Sequence, residues 1–288
     1  MIKRIVTAAI LIPIVVALVW LGPSWLVAII AAAVALLALF EFFKLTAKMG
    51  MRALHTWTMV CAAALFYAQW MAGTAQVHRL AAGTEIITNV TIANYVSTGA
   101  VLLLFIFGAA LIGTASKMAI ADVLPGIAAS SAGLFFVALP FSYLARMDGR
   151  VPEGPVLVLF ALAIVWAGDT VAYFTGKSIG RVQMAPALSP KKTWEGAVGN
   201  VVGSLIVAYF FARWQNGNVM AWLVTAALAN IAGQVGDLVE SAYKRGAGAK
   251  DSGALLPGHG GMLDRIDSLI FAAPVVWLAA SWLTQGRM

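Results

Sequence analysis

Charge is what this chain has least of. Only 11% of its 288 residues are Asp, Glu, Lys or Arg, while 61% are hydrophobic and the mean hydropathy is +0.89. Soluble domains carry about a quarter charged residues. The composition therefore excludes a soluble globular fold and predicts an all-α, polytopic membrane protein. Cysteine is almost as scarce. Cys61 stands alone, which rules out an intramolecular disulfide and a zinc–thiolate site; its place in an apolar run predicts a lipid-facing or packed thiol. No internal repeat and no low-complexity tail are found. Nor does a small-x-small cleavage site follow the basic start Met1-Ile2-Lys3-Arg4 and the apolar run to Trp20, so that run reads as an uncleaved first span.

What is present is a series of apolar runs. A helix needs roughly 20 apolar residues to cross the hydrocarbon, and by that measure nine transmembrane helices are predicted: 5–20, 24–43, 56–71, 95–112, 127–143, 156–174, 197–213, 220–243 and 266–283. The connection Ser116 to Gly126, with Asp122 and Pro125, leaves room for a re-entrant or interfacial piece. Gly168-Asp169-Thr170 reads as an interruption of the sixth helix, and Gly233, Gly236 and Asp237 make the eighth polar toward one end. Trp20, Trp25, Trp70, Trp194, Trp214 and Trp222 fall near predicted helix ends, as in an aromatic belt.

Net charge is +7. In a membrane protein such an excess belongs to loops beside an anionic cytoplasmic leaflet, so nucleic acid is not an expected partner. A cytoplasmic N-terminus puts Arg79, Arg146, Arg150, Arg213 and Arg287 outside and the other fourteen of the nineteen basic residues inside. The positive-inside rule favours that orientation. Loops 177–195 and 244–265 then face the cytoplasm. The chain divides into hydrophobic spans over 1–150 and a polar-motif region over 151–288.

The scarce charge is concentrated. Asp237, Glu240, Lys244, Arg245, Lys250, Asp251, His259, Asp264, Arg265 and Asp267 lie within one short stretch, and ionisable groups near hydrocarbon depth mark sites that handle ions or anions. Asp237, Glu240, Ser241 and Lys244 share a helix face, as do Asp264 and Asp267. Lys244 and Arg245 also suit a helix C-terminus, and Asp264 a helix cap. Asp237 fits neither, since it lies about two turns inside the basic end and needs a cation or a partner. Glycines at 253, 258, 260 and 261 let backbone approach a phosphate. Two carboxylates three residues apart plus a third on a neighbouring helix suit Mg²⁺. Ser189-Pro190-Lys191-Lys192-Thr193-Trp194-Glu195-Gly196 supplies further cations on the same face, joined by Asp169, Lys177 and Arg181.

The run Ser241-x-x-Lys244-Arg245-x-x-x-x-Lys250-Asp251-x-Gly253-x-x-Leu256-Pro257-x-His259-Gly260-Gly261-x-x-Asp264-Arg265-Ile266-Asp267 resembles the characteristic motif of phosphatidate cytidylyltransferases, the CDP-diacylglycerol synthases. The Ser189–Gly196 element resembles the same family's upstream motif. Tyr243, where an aliphatic residue or Phe is usual, and Val171, where Gly often stands, depart from the pattern without removing a charged group. The resemblance covers roughly the second half of the chain. It implies transfer of the cytidylyl group of CTP to phosphatidic acid, giving CDP-diacylglycerol and pyrophosphate, at the cytoplasmic face of the inner membrane. It further implies metal binding by Asp237, Asp264 and Asp267, with Mg²⁺ and a second, monovalent ion such as K⁺. Lys244, Arg245, Lys250, Asp251, His259 and Arg265 join the catalytic set. Ser189, Lys191, Lys192, Thr193, Ser241, Gly260 and Gly261 join the substrate contacts. A homodimer in contact with membrane lipid is expected. The alternatives are another CTP-using lipid transferase, such as a polyprenol kinase, and an ion-coupled transporter using Asp169, Asp237 and Glu240.

Overall fold

The computed structural model describes residues 2–81, 97–116, 118–149, 153–253 and 260–284. Nine helices run through them: α1 (Ile2–Leu21), α2 (Ser24–Lys48), α3 (His55–Ala81), α4 (Thr98–Ala115), α5 (Ile120–Asp148), α6 (Gly154–Ile179), α7 (Trp194–Trp214), α8 (Val219–Gly246) and α9 (Leu263–Thr284). Each coincides with an apolar run of the sequence. Among the described residues α2, α4, α5, α6, α7 and α8 are long and apolar enough to cross a membrane, and Leu11–Leu21 of α1 is a shorter apolar stretch. This is the build of a multi-pass membrane protein.

Three local readings change. The 120–126 segment is no separate piece but the first turns of α5, which accommodates Pro125 and passes through one π-helical stretch at Leu134–Ala138. Gly168-Asp169-Thr170 does not interrupt α6. The Thr170 hydroxyl donates to the Trp166 carbonyl within the helix, and a Cβ on Gly168 would run into Asn200, Asn230 and Ser204. That glycine clears space for a neighbour instead of breaking its own helix. Trp222 is not in an aromatic belt; it is 2% exposed, its ring edge-on to Phe160 at 4.7 Å.

The chain forms two compact units. The first comprises residues 1–155 together with 251–263, and the second 156–250 with 264–288. In the first, α2, α3 and α5 pack on one another through Leu39, Phe42, Phe43, Leu65, Phe66, Leu134 and Phe141, all nearly inaccessible. Ala35, Ala38, Ala62, Ala138 and Ala145 are equally buried. Small residues let backbones approach, and in lipid that close packing replaces the hydrophobic drive between helices. Cys61 is buried in the same core.

In the second unit α7 and α8 are antiparallel neighbours joined by a tight turn. Asn216 takes a left-handed φ of 52° there, and the Asn218 side chain caps α8 by accepting from the amides of Met220 and Ala221. Between α6 and α7 the loop expected at 177–195 forms an antiparallel hairpin, β1 (Gln183–Ala185) with β2 (Ser189–Thr193), Gln183 facing Thr193 and Ala185 facing Ser189. Thr193 ends the hairpin and starts α7, its hydroxyl accepting from the Gly196 amide.

Candidate active site

Within the second unit a cavity of about 450 Å³ opens between α6, the hairpin, α7 and α8, a size usual for small-molecule sites. Lys177, Lys191 and Lys192 line it from α6 and the hairpin. Asp169 of α6, Asn200 of α7, and Asn230, Gln234 and Asp237 of α8 supply polar groups within the spans.

The amides form a directed chain. Gln234 Nε2 donates to the Ala197 carbonyl (3.2 Å) and to Asn230 Oδ1 (2.7 Å); Asn230 Nδ2 donates to Asn200 Oδ1 and to Ser204 Oγ; Asn200 Nδ2 donates to Asp169 Oδ1 (3.2 Å). A carbonyl can only accept, so Ala197 fixes the sense of Gln234. Ser204 donates to the Ile164 carbonyl (2.8 Å), leaving its oxygen to accept from Asn230. Each amide then fixes the next. Among the described residues no donor meets Gln234 Oε1 or the second oxygen of Asp169. What the network leaves open is acceptors.

Beside the cavity lies an acidic cluster. Carboxyl oxygens of Asp237 and Glu240 on α8 and of Asp267 on α9 all come within 4.8 Å of one another. Two glycines permit this. A Cβ on Gly236 would meet the Asp267 carbonyl at 2.7 Å, and one on Gly233 the Ser268 carbonyl at 3.1 Å, so α8 and α9 close here backbone to backbone. Lys192 pairs with Asp237, and Lys244 pairs with both Glu240 and Asp264, the latter at 2.6 Å. Glu240 is 4% exposed, and its Oε1 has no hydrogen-bond partner among the described residues. Three converging carboxyls with a buried oxygen unsatisfied form a donor set of the oxygen-rich kind that fits a hard divalent cation.

The structure thus brings Asp237 and Asp267 together as the sequence implies, with Glu240 as their third member. Asp264, one turn before Asp267, is held by Lys244. Lys191, Lys192 and Thr193 line the cavity; Ser189 lies in β2, and Ser241 is buried on α8. Arg245 is exposed and ties the end of α8 to the hairpin, its Nε donating to the Leu188 carbonyl (3.1 Å) and Nη1 to the Ala249 carbonyl (3.2 Å). Lys250, Asp251 and Arg265 are exposed. Asp251, Gly260 and Gly261 belong to the first unit, Gly260 with a φ of +80° that glycine tolerates best. His259 lies outside the described residues, as do Lys117, Arg150 and Arg287 of the charge count. Asn200, Asn230 and Gln234 were missed by sequence reading. Their signal was amides within otherwise apolar runs, Asn230, Gln234 and Asp237 recurring at helical spacing.

A family model described as the cytidylyltransferase family matches residues 2–283. Curated relatives named phosphatidate cytidylyltransferase include those of Brucella abortus (45% identical over 152 residues, 51% of this chain and 55% of the relative), Staphylococcus saprophyticus (43% over 143, 49% and 54%) and Haemophilus influenzae (41% over 128, 42% and 44%). The chain spans about half the length of the curated relatives it matches. With the family model covering almost every residue, the chain belongs to the cytidylyltransferase family.

Proposed function

We propose that this protein transfers the cytidylyl group of CTP to phosphatidic acid, releasing pyrophosphate and forming CDP-diacylglycerol, at the cytoplasmic face of the inner membrane. The observation that carries the reading is the meeting of Asp237, Glu240 and Asp267 beside a lysine-lined cavity. A phosphatidate oxygen attacks the α-phosphorus of CTP, and the bond to the pyrophosphate oxygen breaks. The nucleophile is already anionic, so positioning and charge neutralisation are what the protein supplies.

Asp237, Glu240 and Asp267 are the residues that would hold Mg²⁺, with Asp264 close in sequence and a monovalent ion such as K⁺ as a second cation. Bound there, the divalent ion would neutralise phosphate charge. Lys177, Lys191 and Lys192 meet the nucleotide phosphates in the cavity. Lys244, Arg245, Lys250 and Arg265 serve the lipid phosphate and leaving group, with Ser189, Thr193, Ser241, His259, Gly260 and Gly261 as further contacts. The open acceptors of Gln234 and Asp169 suit the exocyclic amine of cytosine and oppose the carbonyl that uracil carries there. A membrane-embedded site lets the phosphatidate headgroup enter from the bilayer, and the family resemblance implies a homodimer.

Purified protein incubated with CTP, Mg²⁺ and phosphatidate is expected to yield liponucleotide and pyrophosphate in equal amounts. Release of CDP with a phosphorylated lipid would instead assign a kinase, and ion flux in proteoliposomes without nucleotide incorporation a transporter.

A further inference from the structure

Among the described residues of the first unit two carboxyls are buried, Asp148 and Glu41, and it is Glu41 that contacts the motif loop. Glu41 sits in the middle of Ala38, Leu39, Phe42 and Phe43 on α2 and is 4% exposed. A buried polar side chain is costly unless satisfied and given a task. Its Oε2 accepts from the Ser252 hydroxyl and from the Leu263 backbone amide, both at 2.9 Å. Those two donors lie at opposite ends of the glycine-rich loop. Leu263 also opens α9, so its amide is one of the orphan donors of a helix N-terminus, where a carboxyl oxygen is favourably placed.

The loop is shaped around this group. A Cβ on Gly253 would strike the Glu41 carboxyl, and one on Gly261 would strike both that carboxyl and the Ser252 hydroxyl. Glycine is required at those positions by close approach, since neither has a positive φ. Glu41 Oε1 is buried with no hydrogen-bond partner among the described residues, facing the same turn. The chain continues from Leu263 directly into Asp264 and, one turn on, Asp267.

We propose that Glu41 is a positioning residue for the reaction: a staple that gathers both ends of the 252–263 loop and sets the first turn of α9, and with it the carboxyls of Asp264 and Asp267. It touches no substrate. It acts through the loop and helix that carry the motif, as outer-sphere partners orient the ligands of a metal site. The consequence for activity rests on the function proposed above, whereas the consequence for the loop does not.

The test compares full-length Glu41→Gln and Ser252→Ala with Thr46→Val, a change at a buried α2 residue whose hydroxyl bonds only within its own helix. Three quantities are read: thermal midpoint, trypsin cleavage after the exposed Lys250, and Mg²⁺ dependence of CTP incorporation into lipid. Glu41→Gln is expected to speed cleavage after Lys250 at least five-fold, to raise half-saturating Mg²⁺ at least five-fold and to lower kcat; Ser252→Ala shifts each the same way by less. Thr46→Val should leave all three near wild type. Wild-type cleavage and Mg²⁺ dependence in Glu41→Gln would overturn the proposal. So would equal losses in Glu41→Gln and Thr46→Val that merely track the thermal midpoint. If wild-type protein makes no liponucleotide, the proposed function fails, and the cleavage comparison still decides whether Glu41 staples the loop.

Discussion

Buried polar groups form isolated bonds in the first unit and a connected network in the second. In the first, hydroxyls mostly bond to their own helix: Thr46 to the Phe43 carbonyl, Thr58 to Leu54, Ser142 to Leu139. Such bonds are local, and the cross-helix bonds of this unit, such as Arg146 to Gln69 and the Leu54 amide to Ser130, are single links. In the second unit, polar side chains reach across: Asn200 to Asp169, Asn230 to Asn200, Ser204 to the Ile164 carbonyl, Lys244 to Asp264. Cross-helix polar pairing is what membrane proteins use to hold ion and substrate sites. The difference teaches that a connected chain of cross-helix bonds, more than any single one, distinguishes the candidate site from the scaffold. Glu41 is informative because it is a buried carboxyl of the first unit whose partners lie on the loop that leads into α9.

That comparison can be broken at several points. The largest effect is expected at Asp267→Asn, which removes one of three converging carboxyls. Transfer of cytidylyl to lipid should fall by on the order of 10³-fold, as losses of key electrostatic groups do, with detergent-extracted protein still monodisperse; a rate within ten-fold of wild type would remove Asp267 from the chemistry. Lys192→Ala should come next, at about 10²-fold in kcat/KM for CTP, measured at saturating phosphatidate. Because Lys192 neutralises Asp237, it should also change the response to added divalent ion. Gln234→Leu removes an open acceptor and is expected to narrow the preference for CTP over UTP by about ten-fold, read as the ratio of kcat/KM values. An unchanged ratio would move base recognition elsewhere. Thr46→Val, in the first unit, should alter the rate less than two-fold, with stability changed by less than about 1 kcal/mol. A large loss there would erase the contrast between the units.

Much of the architecture was legible because it rests on one strong signal. An apolar run long enough to span lipid has little choice but to be helical; all nine predicted runs fall in helices, and among the described residues six of these are long and apolar enough to cross a membrane. The site was legible in part. Asp237 and Asp267 could be joined because charges in hydrocarbon stand out and helical spacing assigns faces. Glu240 was visible on the same face as Asp237, yet which carboxyls converge depends on how closely α8 and α9 approach, and Gly233 and Gly236 decide that in three dimensions. The amide chain was missed because Asn and Gln carry no charge and Asn200 and Asn230 meet only through α7–α8 packing. Glu41 could not be connected to its loop by any spacing, since more than two hundred residues separate it from Ser252. Gly168 was misread for a related reason: a glycine's effect on its own helix is local, but the room it gives a neighbour is not.

The central claim is that the carboxyls of α8 and α9 hold a divalent ion where nucleotide and lipid phosphates meet. Equilibrium Mn²⁺ binding followed by electron paramagnetic resonance, on purified wild-type protein and Asp267→Asn in lipid nanodiscs without nucleotide, tests it most directly. The account predicts saturable binding in the wild type that weakens at least ten-fold in the variant. Equal binding by both proteins would contradict it.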